Sequence, residues 1–97
     1  MLNSNLSNKQ NAIYVGSFLY TPTVQAGSFY SFDADLKILN LQGKSIFWGF
    51  AYQILTNIVF EKVVITSNWA GDHVSVKIYN GHSTQFEIPV MCIAFAT

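Results

Sequence analysis

Four groups of residues have side chains able to do chemistry. The first is a carboxylate pair, Asp33 and Asp35, two positions apart. On a strand that spacing puts both on one face, and such a pair can do acid–base work when burial raises one pKa. Their neighbours Ser31 and Lys37 are polar, so the face reads as solvated. The second group is His73 and His82, with Asp72 beside His73. Zinc sites use tighter local pairs, and adjacent strand residues such as Asp72 and His73 are expected to point to opposite faces. The third is the single cysteine, Cys92, in the apolar run Val90, Met91, Cys92, Ile93, Ala94. It reads as a buried, inert thiol that leaves no intrachain disulfide to form. The fourth is a set of aromatics able to stack on sugar rings: Trp48, Trp69, Tyr52, Tyr79, Tyr14 and Tyr20. Trp69, Tyr79 and His82 are the expected ligand-facing residues. Phe47, Trp48, Phe50 and Tyr52 are expected at an oligomer interface. There is no P-loop, no Gly-rich nucleotide fingerprint and no G-x-S-x-G elbow. No metal set, cofactor or catalytic residue is expected, and the chain reads as a non-enzyme.

The elements that must hold these residues read as β. Ala12 to Tyr20 is rich in aromatic and β-branched residues, Thr21-Pro22-Thr23 breaks it, and Ala26-Gly27 turns the chain. In Phe29 to Ile38 the residues Tyr30, Phe32, Ala34, Leu36 and Ile38 alternate with Ser31, Asp33, Asp35 and Lys37. Period 2 predicts a strand with one dry and one wet face. Leu41 to Lys44 reads as a turn. Ser45 to Ile54 is apolar on both sides. It is either a strand buried on both faces or one whose outer face meets a partner. Gly49 within it marks a bulge or a close backbone approach. Ile58 to Phe60 reads as a short strand. Lys62 to Trp69 and His73 to Tyr79 are strands joined by Ala70-Gly71-Asp72. Asn80-Gly81 carries a type I′ signal, and the following His82 to Gln85 implies a longer connection. Phe86 to Ala96 is the last strand, with Pro89 at an edge or bulge. Residues 1–11 read as a polar arm without the features of a signal peptide, and 12–97 as one domain. The expected fold is all-β: a small antiparallel β-sandwich, jelly-roll-like, of six to eight strands.

Composition then sets the surface problem. The chain has 97 residues, 51% hydrophobic and 15% aromatic, with only 10% charged and a formal net charge of zero. Typical soluble domains carry roughly 25% charged residues. Disorder and a basic nucleic-acid footprint are excluded as expectations, and no apolar run has the length of a membrane helix. Either Ser, Thr, Asn and Gln coat a monomer, or part of the surface lies in a subunit interface. The second is expected.

One resemblance adds to this. Thr21-Pro22-Thr23-Val24-Gln25-Ala26-Gly27-Ser28 is similar to the P-x-hydrophobic-x-A-G-S opening of small β-sandwich domains in phage virions. These include tail-fibre tips, receptor-binding heads and head-fibre or decoration proteins. In that pattern an alternating strand follows, as in Phe29 to Ile38. A later strand, a Gly-Asp turn and a V-x-V-x-I-x-N strand resemble Val63 to Trp69, Gly71-Asp72 and Val74 to Asn80. Phe47 to Phe60 matches none of its motifs. The resemblance implies a virion structural or adhesion role, homotrimers, other virion proteins as neighbours and contact with host surface glycan. It carries no catalytic residues. The other expectation from the residues themselves is a small β-barrel ligand-binding module whose pocket Phe47, Trp48, Phe50 and Tyr52 would line.

Overall fold

The computed structural model describes residues 12–54 and 61–97. The arm at 1–11 and the short strand expected at Ile58 to Phe60 lie outside these. The described chain is all-β and antiparallel, with no helix. Its strands are β1 (Tyr14–Tyr20), β2 (Thr23–Val24), β3 (Phe29–Asp35), β4 (Ile46–Gln53), β5 (Val63–Trp69), β6 (His73–Asn80), β7 (Phe86–Glu87) and β8 (Val90–Ala96).

Three pairs are nested: β1 with β8, β2 with β7, and β3 with β6. The first two share one register: Tyr14 faces Ala96, and Thr23 faces Glu87. The third is offset by two residues, with Phe29 facing Tyr79. The chain from Tyr14 to Asp35 thus runs antiparallel to His73–Ala96 as one interrupted ribbon. The ribbon widens differently at its two ends. β4 adds to β8, giving the sheet β1-β8-β4, and β5 adds to β6, giving β3-β6-β5.

Both sheets supply one core. Ala34, Val74, Val76 and Ile78 come from β3-β6-β5. Ile46, Val90, Cys92, Ala94 and Ala96 come from β1-β8-β4, and Leu39 and Leu41 from the loop between β3 and β4. Small residues mark where the backbone is approached most closely. A methyl group on Gly49 would lie 2.9 Å from Val74 Cγ2. One on Gly16 would collide with the Leu39 carbonyl oxygen and sit 2.7 Å from Leu41 Cγ. The expectation of a close approach at Gly49 therefore holds. The bulge lies just before it, where the register slips between Ile46 and Trp48. At the β4–β5 seam Ile46 N–H donates to Gly71 O at 3.0 Å, and Ala51 N–H donates to Ser67 Oγ at 3.1 Å.

The structure corrects the sequence in three places. The alternating strand stops at Asp35, not Ile38. The Asp35 carboxylate accepts from Ile38 N–H at 2.8 Å, and its carbonyl accepts from Leu39 N–H at 2.9 Å. Asp competes with the ladder for nearby amides, and here it turns the chain so that Leu39 is buried. The turn closes with Asn40 at φ 59°. Phe86 to Ala96 is two strands, because the chain breaks at Ile88-Pro89 and Ile88 N–H donates to Pro22 O at 3.0 Å. Asn80-Gly81 is not a type I′ turn. Asn80 ends β6 fully buried, and the glycines with positive φ are Gly27 and Gly43.

Candidate functional site

The chemistry-bearing side chains do not converge. Asp33 and Asp35 are both exposed, and Asp35 is engaged in its turn. Asp72 precedes β6 rather than lying on it, so its Oδ1 reaches His73 Nδ1 at 2.7 Å, and the two do not point apart as strand neighbours would. This pair is open to solvent at the β5–β6 turn. Cys92 is fully buried on the core side of β8, where burial pushes its thiol up to about 11. A thiol so held is a poor nucleophile. Among the described residues no group of three or more His, Cys, Asp and Glu side chains could hold a metal ion, and none encloses a pocket.

The three expected ligand-facing residues lie apart. Trp69 pairs with Val74 at the end of β5, on the core side of its sheet and 45% exposed. Tyr79 lies on the opposite face, its ring tilted against Phe29 with centroids 4.8 Å apart. His82 is in the connection after β6, edge-on to Phe86 at 4.9 Å. They do not form one binding surface.

The four expected interface residues do gather. Paired residues in an antiparallel ladder point to the same side. On the outer side of β1-β8-β4 this gives three rows: Val15–Phe95–Trp48, Ser17–Ile93–Phe50 and Leu19–Met91–Tyr52. Eight of these nine positions are apolar or aromatic, Ser17 is the exception, and none is charged. The edge columns differ in kind. On β4, Trp48 lies 5.0 Å from Phe50, and Phe50 stacks on Tyr52 at 5.8 Å. Trp48 also stacks on Phe95 at 5.3 Å. On β1 the column is aliphatic and small: Val15, Ser17, Leu19. The bulge before Trp48 turns Phe47 outward beside this face, because the extra residue breaks the alternation.

This surface is open. Val15 is 62% exposed, Leu19 53%, Phe47 49%, Trp48 44% and Tyr52 42%. A contiguous apolar surface of this kind marks a protein interaction site rather than scattered exposure. The outer side of β3-β6-β5 is different. Its rows are Phe29–Tyr79–Val64, Ser31–Lys77–Thr66 and Asp33–Ser75–Asn68, apolar at one end and hydrophilic beyond it. Sequence had marked the β4 aromatics. It gave no sign of Val15, Leu19 and Met91 as their neighbours, because that adjacency depends on pairing between strands far apart in the chain.

No family model, curated protein or solved structure matches this chain.

Proposed function

We propose that this protein is a non-enzymatic structural or adhesion component of a phage virion, of the tail-fibre, spike or capsid-decoration kind, that works as a homotrimer. One observation carries the reading: an uncharged, largely apolar outer face on β1-β8-β4, backed by an outer face on β3-β6-β5 that is hydrophilic beyond its Phe29–Tyr79–Val64 end. An apolar sheet face of this extent is stable in water when another surface covers it. The motif resemblance from Thr21 to Ser28 and from Val63 to Asn80 supports a virion setting, and the scattered polar chemistry supports a role without catalysis. The β3-β6-β5 face is then the one left for host glycan or neighbouring virion proteins.

Native mass spectrometry at micromolar concentration tests the assembly. A trimer is expected, and a stable monomer overturns the reading. A glycan array probed with the assembled protein tests adhesion. Binding that persists in high salt supports glycan contact, and a blank array removes adhesion from the role.

A further inference from the structure

The surface that covers the apolar face can be named from the difference between its two edges. This step rests on the self-assembly reading. We infer that the aromatic column of β4 packs against the aliphatic column of β1 of another copy of this chain, in a closed ring of three.

Three observations point to a further copy. Val15, Leu19, Phe47, Trp48 and Tyr52, on and beside the face, are each more than two-fifths exposed, a contiguous apolar patch of the kind that marks a protein interface. The nine positions carry no charge that would select a charged partner. Above all, the face holds complementary shapes at its two edges. Trp48, Phe50 and Tyr52 stand out along β4, while Val15, Ser17 and Leu19 leave a shallow column along β1. Ser17, the smallest side chain of the nine, lies in the row of Phe50.

A rotation axis parallel to β8 keeps every row at its own height. It brings Trp48 against Val15, Phe50 against Ser17, and Tyr52 against Leu19 of the next copy. Large then meets small, as close packing requires. A two-fold axis parallel to β8 would make the same row pairings isologously, whereas a three-fold axis, the symmetry of the proposed homotrimer, makes them heterologous and closes them into a ring. With three copies, the β8 column of Met91, Ile93 and Phe95 faces the axis. An axis running across the strands would instead set aromatic column on aromatic column and leave the aliphatic columns facing each other across a gap.

Disulfide trapping on the full chain tests this. Ser17→Cys and Phe50→Cys are made separately, with Cys92 retained because it is fully buried. The two variants are mixed, re-equilibrated and oxidised with copper–phenanthroline. Cross-linked pairs are expected in the mixture and not with either variant alone. Phe50→Cys linking to itself as strongly as in the mixture would overturn the arrangement. An oligomer that yields no mixed cross-link would also overturn it, while leaving self-assembly intact. A monomeric wild type would overturn both. Carrying both cysteines on one chain fixes the ring size. They lie two strands apart, roughly 9–10 Å, too far to bond within a chain. Covalent trimers support the ring, and covalent dimers contradict it. Should Phe50→Cys fold poorly, Val15→Lys serves as the second variant. Its position is exposed, so the β circular dichroism should persist while the dissociation constant rises at least tenfold. An unchanged constant contradicts the inference.

Discussion

The side-chain amide of Asn80 donates to the main-chain oxygen of Val24 at 3.0 Å, joining β6 to β2 across 56 residues of chain. The same nitrogen donates to Thr84 O at 3.0 Å, and Asn80 Oδ1 accepts from His82 N–H at 2.9 Å. The backbone completes the corner: Asn80 N–H donates to Ser28 O, and Gly27 N–H donates to Asn80 O. This is where the ribbon shifts register by two residues between β2–β7 and β3–β6. The extra residues on the second strand would leave amides and carbonyls unpaired, and Asn80 satisfies them. Asn80→Ala strips those partners inside a buried corner, so a loss of roughly 2–4 kcal/mol is expected. Urea unfolding measures it; a loss below ~0.5 kcal/mol would mean that water replaces the amide.

The glycines give a graded test of backbone approach. Gly49→Ala puts a methyl 2.9 Å from Val74 Cγ2 and 3.3 Å from Ile93 O. It should cost about 1–3 kcal/mol through overpacking. Gly16→Ala meets a backbone carbonyl that cannot swing aside, and should cost at least as much. Gly27→Ala meets nothing within 4 Å but sits at φ 67°, so its cost should be about 1–2 kcal/mol of backbone strain. Gly71→Ala, with its nearest contact at 3.6 Å, should be nearly neutral. Thermal or urea unfolding of the four variants gives the order.

Cys92 makes stability depend on alkaline pH. Its thiol is raised from 9.0 to about 11 by burial. In the unfolded chain the thiol ionises first, so the unfolded state is favoured as pH climbs. The contribution is fully present below pH 9 and is lost between about 9 and 11, amounting to roughly 2–3 kcal/mol at most. Cys92→Ala should flatten that part of the pH–stability curve even though it costs stability at neutral pH. The native thiol should also resist an aromatic disulfide reagent until urea unfolds the chain. Rapid reaction in native buffer would show that the core opens at β8.

Association through an uncharged face should ignore simple salt. Raising sodium chloride from about 0.1 M to about 1 M screens charge pairs but leaves apolar contact in place. Sulfate should tighten it, since excluded salts favour burial. Light scattering reads both. Dissociation by sodium chloride would point to an ionic interface elsewhere on the protein.

The β class was legible because alternation survives in single strands. Val74, Val76 and Ile78 against Ser75, Lys77 and Tyr79 fix which side of β6 is dry. The turn at Gly27 and the tight link at Ala70-Gly71-Asp72 were also readable, since local backbone geometry selects those residues. Asn80 misled because Asn-Gly favours a hairpin locally, while its side-chain amide gained three partners from residues near and far. Asp35 misled in the same way, with a side chain that captured the Ile38 amide. The apolar face was half legible. Trp48, Phe50 and Tyr52 announce themselves within one strand. Val15 and Leu19 join them only through Phe95 and Met91 of β8, far along the chain, and pairing at such separation leaves no local trace.

Sedimentation equilibrium of the wild-type chain beside Val15→Lys tests self-assembly through the β1-β8-β4 face most directly. The wild type is expected at three chain masses of 10.8 kDa at micromolar concentration, and the variant shifted toward one. A wild type that stays at a single chain mass, or a variant that assembles as tightly as the wild type, would contradict it.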